Sequence, residues 1–512
     1  MSEPTGSGAA SGQTAPVALV GAGPGDAGLM TRRSLELLAR ADVVFFDRLI
    51  PPDALDGCRP EAELVYVGKE PGNPGLGQEE INRRLVESGR AGLRVVRLKG
   101  GDPFLFGRGA EEAEALHAAG LDFEIVPGIT AGIAATAYAG IPVTHREESA
   151  SVTFLTGHED PQKSESRIDL EQAAASPATL VFYMGLKSLG ANARVLIEAG
   201  RPADQPVAVI EMGTTPAQRV VEGTLETIAS EVEAAGLKPP ALVVVGQVAA
   251  KRQQLAWFEQ RPLFGVSVVV TRAKDRASAL AGRIRALGGE VVELPVSRTD
   301  PVDPADPAVS QSLDRFGRGE FDLACFTSPT GVSSFFDLIG GIGLDARAFA
   351  GMELAAIGPS TARSLAGHGL RADYLPEKFV AEGMLKTLGK VPMEGRRILI
   401  ARAAEGRELL PETLRQRGAE VTVMPVYRTV PEIPSATAQK RAAAADFITF
   451  TSASSVNNLV RTGAVDPATF APRVVTIGPV TSEAARDAGF EVSLEAGRHD
   501  LDGLVETLSR QR

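Results

Sequence analysis

The C-terminal half of this sequence is written twice. "VVVTR" (residues 268–272) returns as "ILIAR" (398–402), and "ALGGEVVELPVSRT" (286–299) returns as "QRGAEVTVMPVYRT" (416–429). "FDLACFTSPTGVSSFF" (321–336) returns as "ADFITFTSASSVNNLV" (445–460), and "LAAIGPSTARSLAGHGL" (354–370) as "VVTIGPVTSEAARDAGF" (474–490). Four blocks in one order, displaced by about 120–130 residues, mark an internal duplication of one α/β unit. The blocks alternate β-branched runs with helical stretches, so each copy predicts a sheet covered by helices. Two equivalent lobes leave a cleft between them, a common place for a ligand.

The N-terminal half has the same alternation without the repeat. "VALVG", "ADVVFFD", "AELVYVG" and "LRVVRLKG" are short strand-like runs, separated by helical spacing in "TRRSLELLARA" and "QEEINRRLVESG". After "VPGITAGIAATAYAGIPVTHR" the pattern resumes with "SVTFLTG", "ATLVFYMG", "PVAVIEMG" and "PALVVVGQV". This is βαβ grammar, which predicts mostly parallel sheets in two lobes, about 16–145 and 146–251. The only Trp lies in the next segment, 252–263, which reads as a linker before the duplicated half at 264–512.

At 512 residues the chain is long enough for several domains, each with its own core. Its formal net charge of −11 argues against a general nucleic-acid binder. An anionic ligand would have to be met locally, by helix N-termini or single Arg and Lys groups. Two cysteines and five scattered histidines build neither a disulfide framework nor a zinc cluster, so no metal is expected. A reducing cytoplasm is the simplest setting. Residues 1–15 lack an apolar h-region and read as a disordered tail. No apolar run approaches the roughly 18 residues needed to span a membrane.

Several stretches carry chemistry. In "VALVGAGPGDAGLM", Gly23, Gly25 and Gly28 spell G-x-G-x-x-G, and Asp47 follows about twenty residues later, as in a dinucleotide fingerprint. However, Pro24 stiffens the loop, and helical spacing starts only at Thr31, a plausible N-cap. The loop therefore fits NAD, another nucleoside-type ligand, or a purely structural turn. "RLKGGDPFLFGRG" ends a strand in Gly100-Gly101-Asp102. The glycines allow close ligand approach, Asp102 can bind hydroxyls or a cation, and Phe104 or Phe106 can line an apolar pocket; the alternative is a tight strand-to-helix connection with core aromatics. Asp47 and Lys69 each terminate a strand-like run, where a base and an acid would face a crevice, though either residue taken singly also reads as a solvated loop charge. In the duplicated half, Thr327-Ser328 and Thr451-Ser452 recur, as do Gly358-Pro359 and Gly478-Pro479. Each sits at a helix start suited to a carboxylate or to simple capping. Tyr427 occupies the place that Ser297 holds in the other copy, where the chain would cross between lobes.

With these motifs in order, residues 16 to about 250 closely resemble uroporphyrinogen-III C-methyltransferases of the tetrapyrrole methylase family. The resemblance rests on "VGAGPGDAGLMT", "RLKGGDPFLFGRG", "VPGITAGIAATAYAGIPVTHR", "LVFYMG" and "VIEMGTTPAQR". Residues 264 to about 510 resemble uroporphyrinogen-III synthases, through the duplication, "FTS", "IGP" and "PVYRT". The resemblance implies an α/β chain. A two-lobed methylase fold comes first, then a pair of flavodoxin-like lobes, the first discontinuous (about 264–298 plus 430–512) around the second (about 299–429). It implies S-adenosylmethionine as methyl donor, with no metal and no NAD. Its contacts would fall on Pro24, Gly100, Gly101, Asp102, Leu105, Thr130, Ala131, Met184 and Gly213. Asp47 and Lys69 match the family's proposed proton acceptor and donor. Two methylations of uroporphyrinogen III would give precorrin-2, on the branch to siroheme or cobalamin.

The synthase half would close hydroxymethylbilane into uroporphyrinogen III with inversion of the last ring. Tyr427 would assist loss of the hydroxyl, while Thr327, Ser328, Thr451, Ser452, Gly478 and Thr481 would hold substrate groups. The implied partners are small tetrapyrroles, with no nucleic acid and no membrane, in a cytoplasmic homodimer formed through the methylase half. Siroheme synthases carry a further dehydrogenase and ferrochelatase module before the methylase, where this sequence has only the expected tail. The rival reading is an NAD-dependent oxidoreductase fused to a non-catalytic two-lobed binding module.

Overall fold

A computed structural model describes residues 17–51, 53–68, 75–157, 168–271 and 279–511. The expected tail (1–15) and the candidate Lys69 lie outside the described residues. The chain divides into two compact units. One holds residues 1–267 with 282–291 and 508–512; the other holds 268–281 with 292–507.

The first sheet contains β1 (Val17–Gly21), β2 (Val43–Phe46), β3 (Glu63–Tyr66), β4 (Val95–Lys99) and β5 (Phe123–Val126), in the order β3-β2-β4-β1-β5. Every pairing is parallel. β1 and β4 are buried along their whole length, as strands covered on both faces are; β1 is apolar throughout, whereas β4 also buries Arg97 and Lys99. The covering helix Gln78–Arg90 buries Ile81, Leu85 and Gly89 along one stripe. Glu79 and Glu80 in its first turn and Arg90 in its last suit the helix dipole.

The second sheet departs from the predicted parallel grammar. It contains β6 (Val152–Thr156), β7 (Thr179–Tyr183), β8 (Pro206–Glu211), β9 (Arg219–Thr224) and β10 (Ala241–Val245), in the order β6-β7-β10-β8-β9. Only β6 and β7 pair in parallel; β10 lies antiparallel to both β7 and β8, and β9 is antiparallel to β8. The loop 212–218 is too short for the helical crossover that parallel pairing needs, so β9 returns as a hairpin. Residues 252–263 pack on the same unit: Arg252 donates to the Ala139 carbonyl at 2.7 Å and the Trp257 indole to that of Ala137 at 3.0 Å.

The duplicated half yields two further sheets. One contains β11 (Ser267–Val270), β12 (Glu290–Glu293), β18 (Phe447–Phe450), β19 (Arg473–Thr476) and β20 (Val492–Glu495), in the order β12-β11-β18-β19-β20. The other contains β13 (Ser297–Pro301), β14 (Leu323–Phe326), β15 (Glu353–Ala356), β16 (Arg397–Ala403) and β17 (Glu420–Pro431), in the order β13-β17-β16-β14-β15. The copies match in detail. Phe326 and Phe450 end equivalent strands and are both fully buried. Ser328 and Ser452 then cap the following helices, each accepting from the backbone N–H three residues on, Gly331 and Ser455. Among the described residues no helix is long and apolar enough to cross a membrane.

Candidate functional site

In the first unit, the loops leaving the carboxyl ends of β1, β2, β4 and β5 carry Pro24, Asp47, Gly100 to Leu105, and Thr130-Ala131. In parallel sheets these ends face the ligand crevice. The loops are stitched together by backbone bonds: Ala22 N–H to Lys99 O (2.8 Å), Gly23 N–H to Gly101 O (3.2 Å) and Gly101 N–H to Gly23 O (2.7 Å). Gly21 and Gly128 are where backbones cross. A Cβ on Gly21 would lie 2.4 Å from Gly128 N, and one on Gly128 would lie 2.2 Å from Gly101 O. Gly101 is needed for its φ of +68°. By contrast, Gly100 and Gly213 make room for the protein itself, against the Leu49 carbonyl (2.6 Å) and the Ala135 Cβ (2.3 Å). Asp102 turns both oxygens inward. Oδ1 accepts from the Phe104 and Leu105 N–H groups (2.8 and 3.1 Å), and Oδ2 accepts from Gly128 N–H (3.1 Å). Its carboxylate therefore shapes the loop that holds Leu105.

Five non-glycine residues among those described have left-handed φ: Phe106 (+54°), Arg108 (+59°), Met184 (+56°), Met212 (+49°) and Thr214 (+70°). All five fall in the loops after β4, β7 and β8 that the motifs singled out. Such backbone persists only where its surroundings enforce it, and it clusters at functional sites. Here the enforcing contacts link the loops of the two sheets. The Tyr183 hydroxyl meets Thr130 Oγ1 at 2.6 Å and accepts from Gly132 N–H at 2.7 Å, while its ring centre lies 5.0 Å from that of Phe106. Asp26 N–H donates to Thr214 Oγ1 (3.1 Å), and the Tyr138 hydroxyl donates to Asp26 Oδ2 (2.7 Å). Gly25 packs against Gly213, Thr214 and Thr215, which brings the Pro24 loop to Gly213. Burial raises the Tyr183 phenol, and burial reinforced by Asp26 raises that of Tyr138, so both remain protonated. Met184 and Phe104 are about half exposed beside these contacts.

In the opening glycine loop the helix N-terminus does not meet the glycines. The helix starts at Arg32 behind Thr31, whose side chain accepts from Ser34 N–H. Before it stands only a 3-10 turn, Ala27–Leu29, and the Asp26 carboxylate already takes its Gly28 N–H at 2.8 Å. A dinucleotide site needs free N–H groups and a helix dipole at that point, not a carboxylate.

Asp47 follows β2. Its Oδ1 accepts from Leu49 N–H at 3.1 Å, and Oδ2 accepts from Arg97 Nη2 at 3.3 Å. Because the Leu49 carbonyl abuts Gly100, the Asp47 turn and the β4 loop converge.

In the other unit, Thr327-Ser328 follow β14 and Thr451-Ser452 follow β18, all partly exposed. Tyr427 lies in β17, the last strand of its sheet before the chain leaves for the other lobe. Its hydroxyl is 3.1 Å from Ser328 Oγ, so the phenol and one recurrent "FTS" serine form a pair. A register shift at Arg402/Ala403 of β16 lies beside Tyr427, whose carbonyl accepts from Ala404 N–H at 2.9 Å. Gly478 and Thr481 are buried, so the Thr481 side chain belongs to packing rather than to the presented surface. Both "IGP" glycines are covered by a fifth recurrent block, "YLPEKFVAEGMLKTL" (374–388) and "LEAGRHDLDGLVETL" (494–508). It places Phe379 over Gly358 and His499 over Gly478.

The family model of Tetrapyrrole (Corrin/Porphyrin) Methylases matches residues 16–229, and that of Uroporphyrinogen-III synthase HemD matches residues 278–506. A porphyrin biosynthesis protein HemD of Ruminiclostridium josui is 36% identical over 498 residues, 96% of this chain and 97% of its own length. The chain belongs to this family of fused tetrapyrrole enzymes. It pairs a uroporphyrinogen-III C-methyltransferase unit with a uroporphyrinogen-III synthase unit. A uroporphyrinogen-III C-methyltransferase of Bacillus subtilis (strain 168) is 42% identical over 331 residues, 65% of this chain and 67% of that protein. A siroheme synthase of Azotobacter vinelandii (strain DJ / ATCC BAA-1303) is 51% identical over 247 residues, 48% of this chain and 52% of that protein. The match thus spans about half the length of that siroheme synthase.

Sequence reasoning missed Asp26, Tyr138 and Tyr183 of the methylase. Each acts through a partner 51 to 188 residues away, which no local spacing encodes. In the synthase it missed Phe379 and His499, whose block keeps only a few matched letters, Gly383 and Gly503 among them.

Proposed function

We propose that the synthase unit, residues 264–512, cyclises hydroxymethylbilane to uroporphyrinogen III with inversion of ring D. The methylase unit, residues 16–251, then methylates that product twice to give precorrin-2. The methyl donor is S-adenosylmethionine, which supplies an electrophilic methyl whose C–S bond breaks as the new C–C bond forms. The observation that carries this reading is that the strained loops after β7 and β8 are tied to the Pro24 loop and to Thr130–Gly132, the segments that flank the Gly21–Gly101–Gly128 crossing.

The protein's own task is alignment and proton removal. Pro24, Gly100, Gly101, Asp102, Leu105, Thr130, Ala131, Met184 and Gly213 hold the donor, largely through backbone groups and apolar side chains. That donor set suits a ligand without phosphate. A pyrrole carbon is already nucleophilic, so fixing the methyl in line with it supplies much of the rate. Asp47 accepts the proton that the tetrapyrrole loses after methylation, and Lys69 is the matching donor. We expect calorimetric titration to show binding of S-adenosylhomocysteine and no heat with NAD; binding of NAD alone would overturn the cofactor assignment.

In the synthase, the Tyr427 phenol assists departure of the bilane hydroxyl. The C–O bond breaks, the oxygen leaves as water with a proton, and the cation-like carbon is attacked by the terminal pyrrole on the way to a spiro intermediate. Thr327, Ser328, Thr451, Ser452 and the Gly478 backbone hold substrate carboxylates and carbonyl-side groups. The Ser328–Tyr427 pair supports this placement. Tyr427→Phe is expected to slow enzymatic cyclisation roughly ten- to a hundredfold, short of the full span of general-acid effects because no ionised group is lost. A variant cyclising at the parent rate would remove Tyr427 from the reaction.

A further inference from the structure

We propose that Glu112 is a positioning residue for methyl transfer, acting through Arg97 on Asp47; this rests on the reading of Asp47 as proton acceptor. Glu112 lies in the helix Gly109–Ala118 and is completely buried. Its Oε1 accepts from Arg97 Nε (3.1 Å), Lys99 Nζ (2.9 Å) and Gln78 Nε2 (3.2 Å), while its Oε2 has no hydrogen-bond partner. Arg97 is also buried. The far end of its fork reaches Asp47 Oδ2 at 3.3 Å, and Nη1 donates to the carbonyls of Phe45 (3.4 Å) and Leu98 (3.0 Å). The guanidinium is therefore fixed at both ends, and its planar fork transmits that orientation to the one partly exposed acid of the cluster.

Stability alone is a poor reason for this arrangement. The same helix fills its interface elsewhere with Ala113 and Leu116. Buried ion clusters seldom outperform apolar packing, and a buried carboxylate oxygen without a partner is costly. The charges balance: Asp47 and Glu112 face Arg97 and Lys99. Without Glu112, Asp47 alone of these four groups would face the two buried cations. Its carboxylate would be drawn inward, away from the strand ends where the tetrapyrrole must lie. Burial also disfavours the charged form of Lys99, and it is Arg97 whose side chain reaches Asp47.

The test is steady-state methyl transfer by the full-length protein, with S-adenosylhomocysteine binding and a thermal melt of the methylase unit as the control for its folding. Glu112→Gln should lower kcat for methylation about tenfold or more, as misplacement of a reacting group does, with KM for S-adenosylmethionine within about twofold of the parent. Combined with Asp47→Asn it should add no further loss, because both changes act on one group. Arg97→Lys keeps the charge but loses the fork; it should lower kcat similarly and decides the matter if Glu112→Gln does not fold. Parent kcat in the folded Glu112→Gln enzyme, or losses that multiply in the double variant, would overturn the proposal. If Asp47→Asn is impaired while Glu112→Gln and Arg97→Lys are not, only this inference falls; if Asp47→Asn is silent, the proton-acceptor reading falls with it.

Discussion

An Asp47→Asn enzyme is expected to methylate uroporphyrinogen III about 10²–10⁴-fold more slowly than the parent, the usual contribution of a positioned general base. The loss should appear in kcat, with S-adenosylhomocysteine binding retained. The substitution is nearly isosteric. An Asn oxygen can still accept from Leu49 N–H, so the turn after β2 and its contact with Gly100 should survive. What changes is the other end. An amide nitrogen would meet Arg97 Nη2, donor against donor, or else the amide would flip and give up the Leu49 bond. Either way the group can no longer take a proton from the tetrapyrrole. Retained S-adenosylhomocysteine binding and a parent-like thermal melt of the methylase unit separate this chemical loss from misfolding. An unchanged methylation rate would require a different base.

Gly128→Ala should all but abolish binding of the methyl donor. The added Cβ would fall 2.2 Å from Gly101 O and 2.8 Å from Gly21 Cα. Both neighbours are backbone, so no side chain can swing aside. The β1, β4 and β5 ends must separate, and the Gly23–Gly101 bridge and the Asp102 bond to Gly128 N–H are strained together. Overpacking of this kind costs about 1–3 kcal/mol. Gly120→Ala is a useful contrast, since that turn glycine meets nothing within 4 Å and owes its place only to a φ of +71°. It should destabilise the unit without touching donor affinity. Calorimetry with S-adenosylhomocysteine and thermal melts of both variants check the pair. Normal donor affinity in Gly128→Ala would mean that the glycine crossing does not shape the site.

Much of this was readable in the letters because it is local. The duplication identified paired α/β lobes, and the recurrent "FTS" serines stand as the helix caps their position implied. The helix after the glycine loop starts behind Thr31, as the spacing placed it, although the letters alone left NAD, another nucleoside-type ligand and a structural turn open. What was not readable depends on the third dimension. Gly100 and Gly101 are one letter repeated, yet one packs against Leu49 and the other is required by its backbone angle. Asp102 reads as a ligand-binding acid in sequence; that its oxygens also accept from Phe104, Leu105 and Gly128 N–H groups and so organise the loop is not encoded in any spacing. The antiparallel insertion of β10 follows from no pattern within that strand, whose buried "ALVVV" suits either direction. Asp26, Tyr138 and Tyr183 are invisible for the same reason, since their partners lie far along the chain.

The central claim is that one chain makes a cyclic tetrapyrrole and then methylates it. Incubating the full-length protein with hydroxymethylbilane and S-adenosylmethionine, then weighing the product by mass spectrometry, tests both steps at once. The account predicts a tetrapyrrole lighter than the bilane by one water and heavier by two methyl-for-hydrogen exchanges, with the water loss alone when the methyl donor is omitted. A product that has lost water but gained no methyl in the presence of donor, or a bilane left to close at its spontaneous rate, would contradict it.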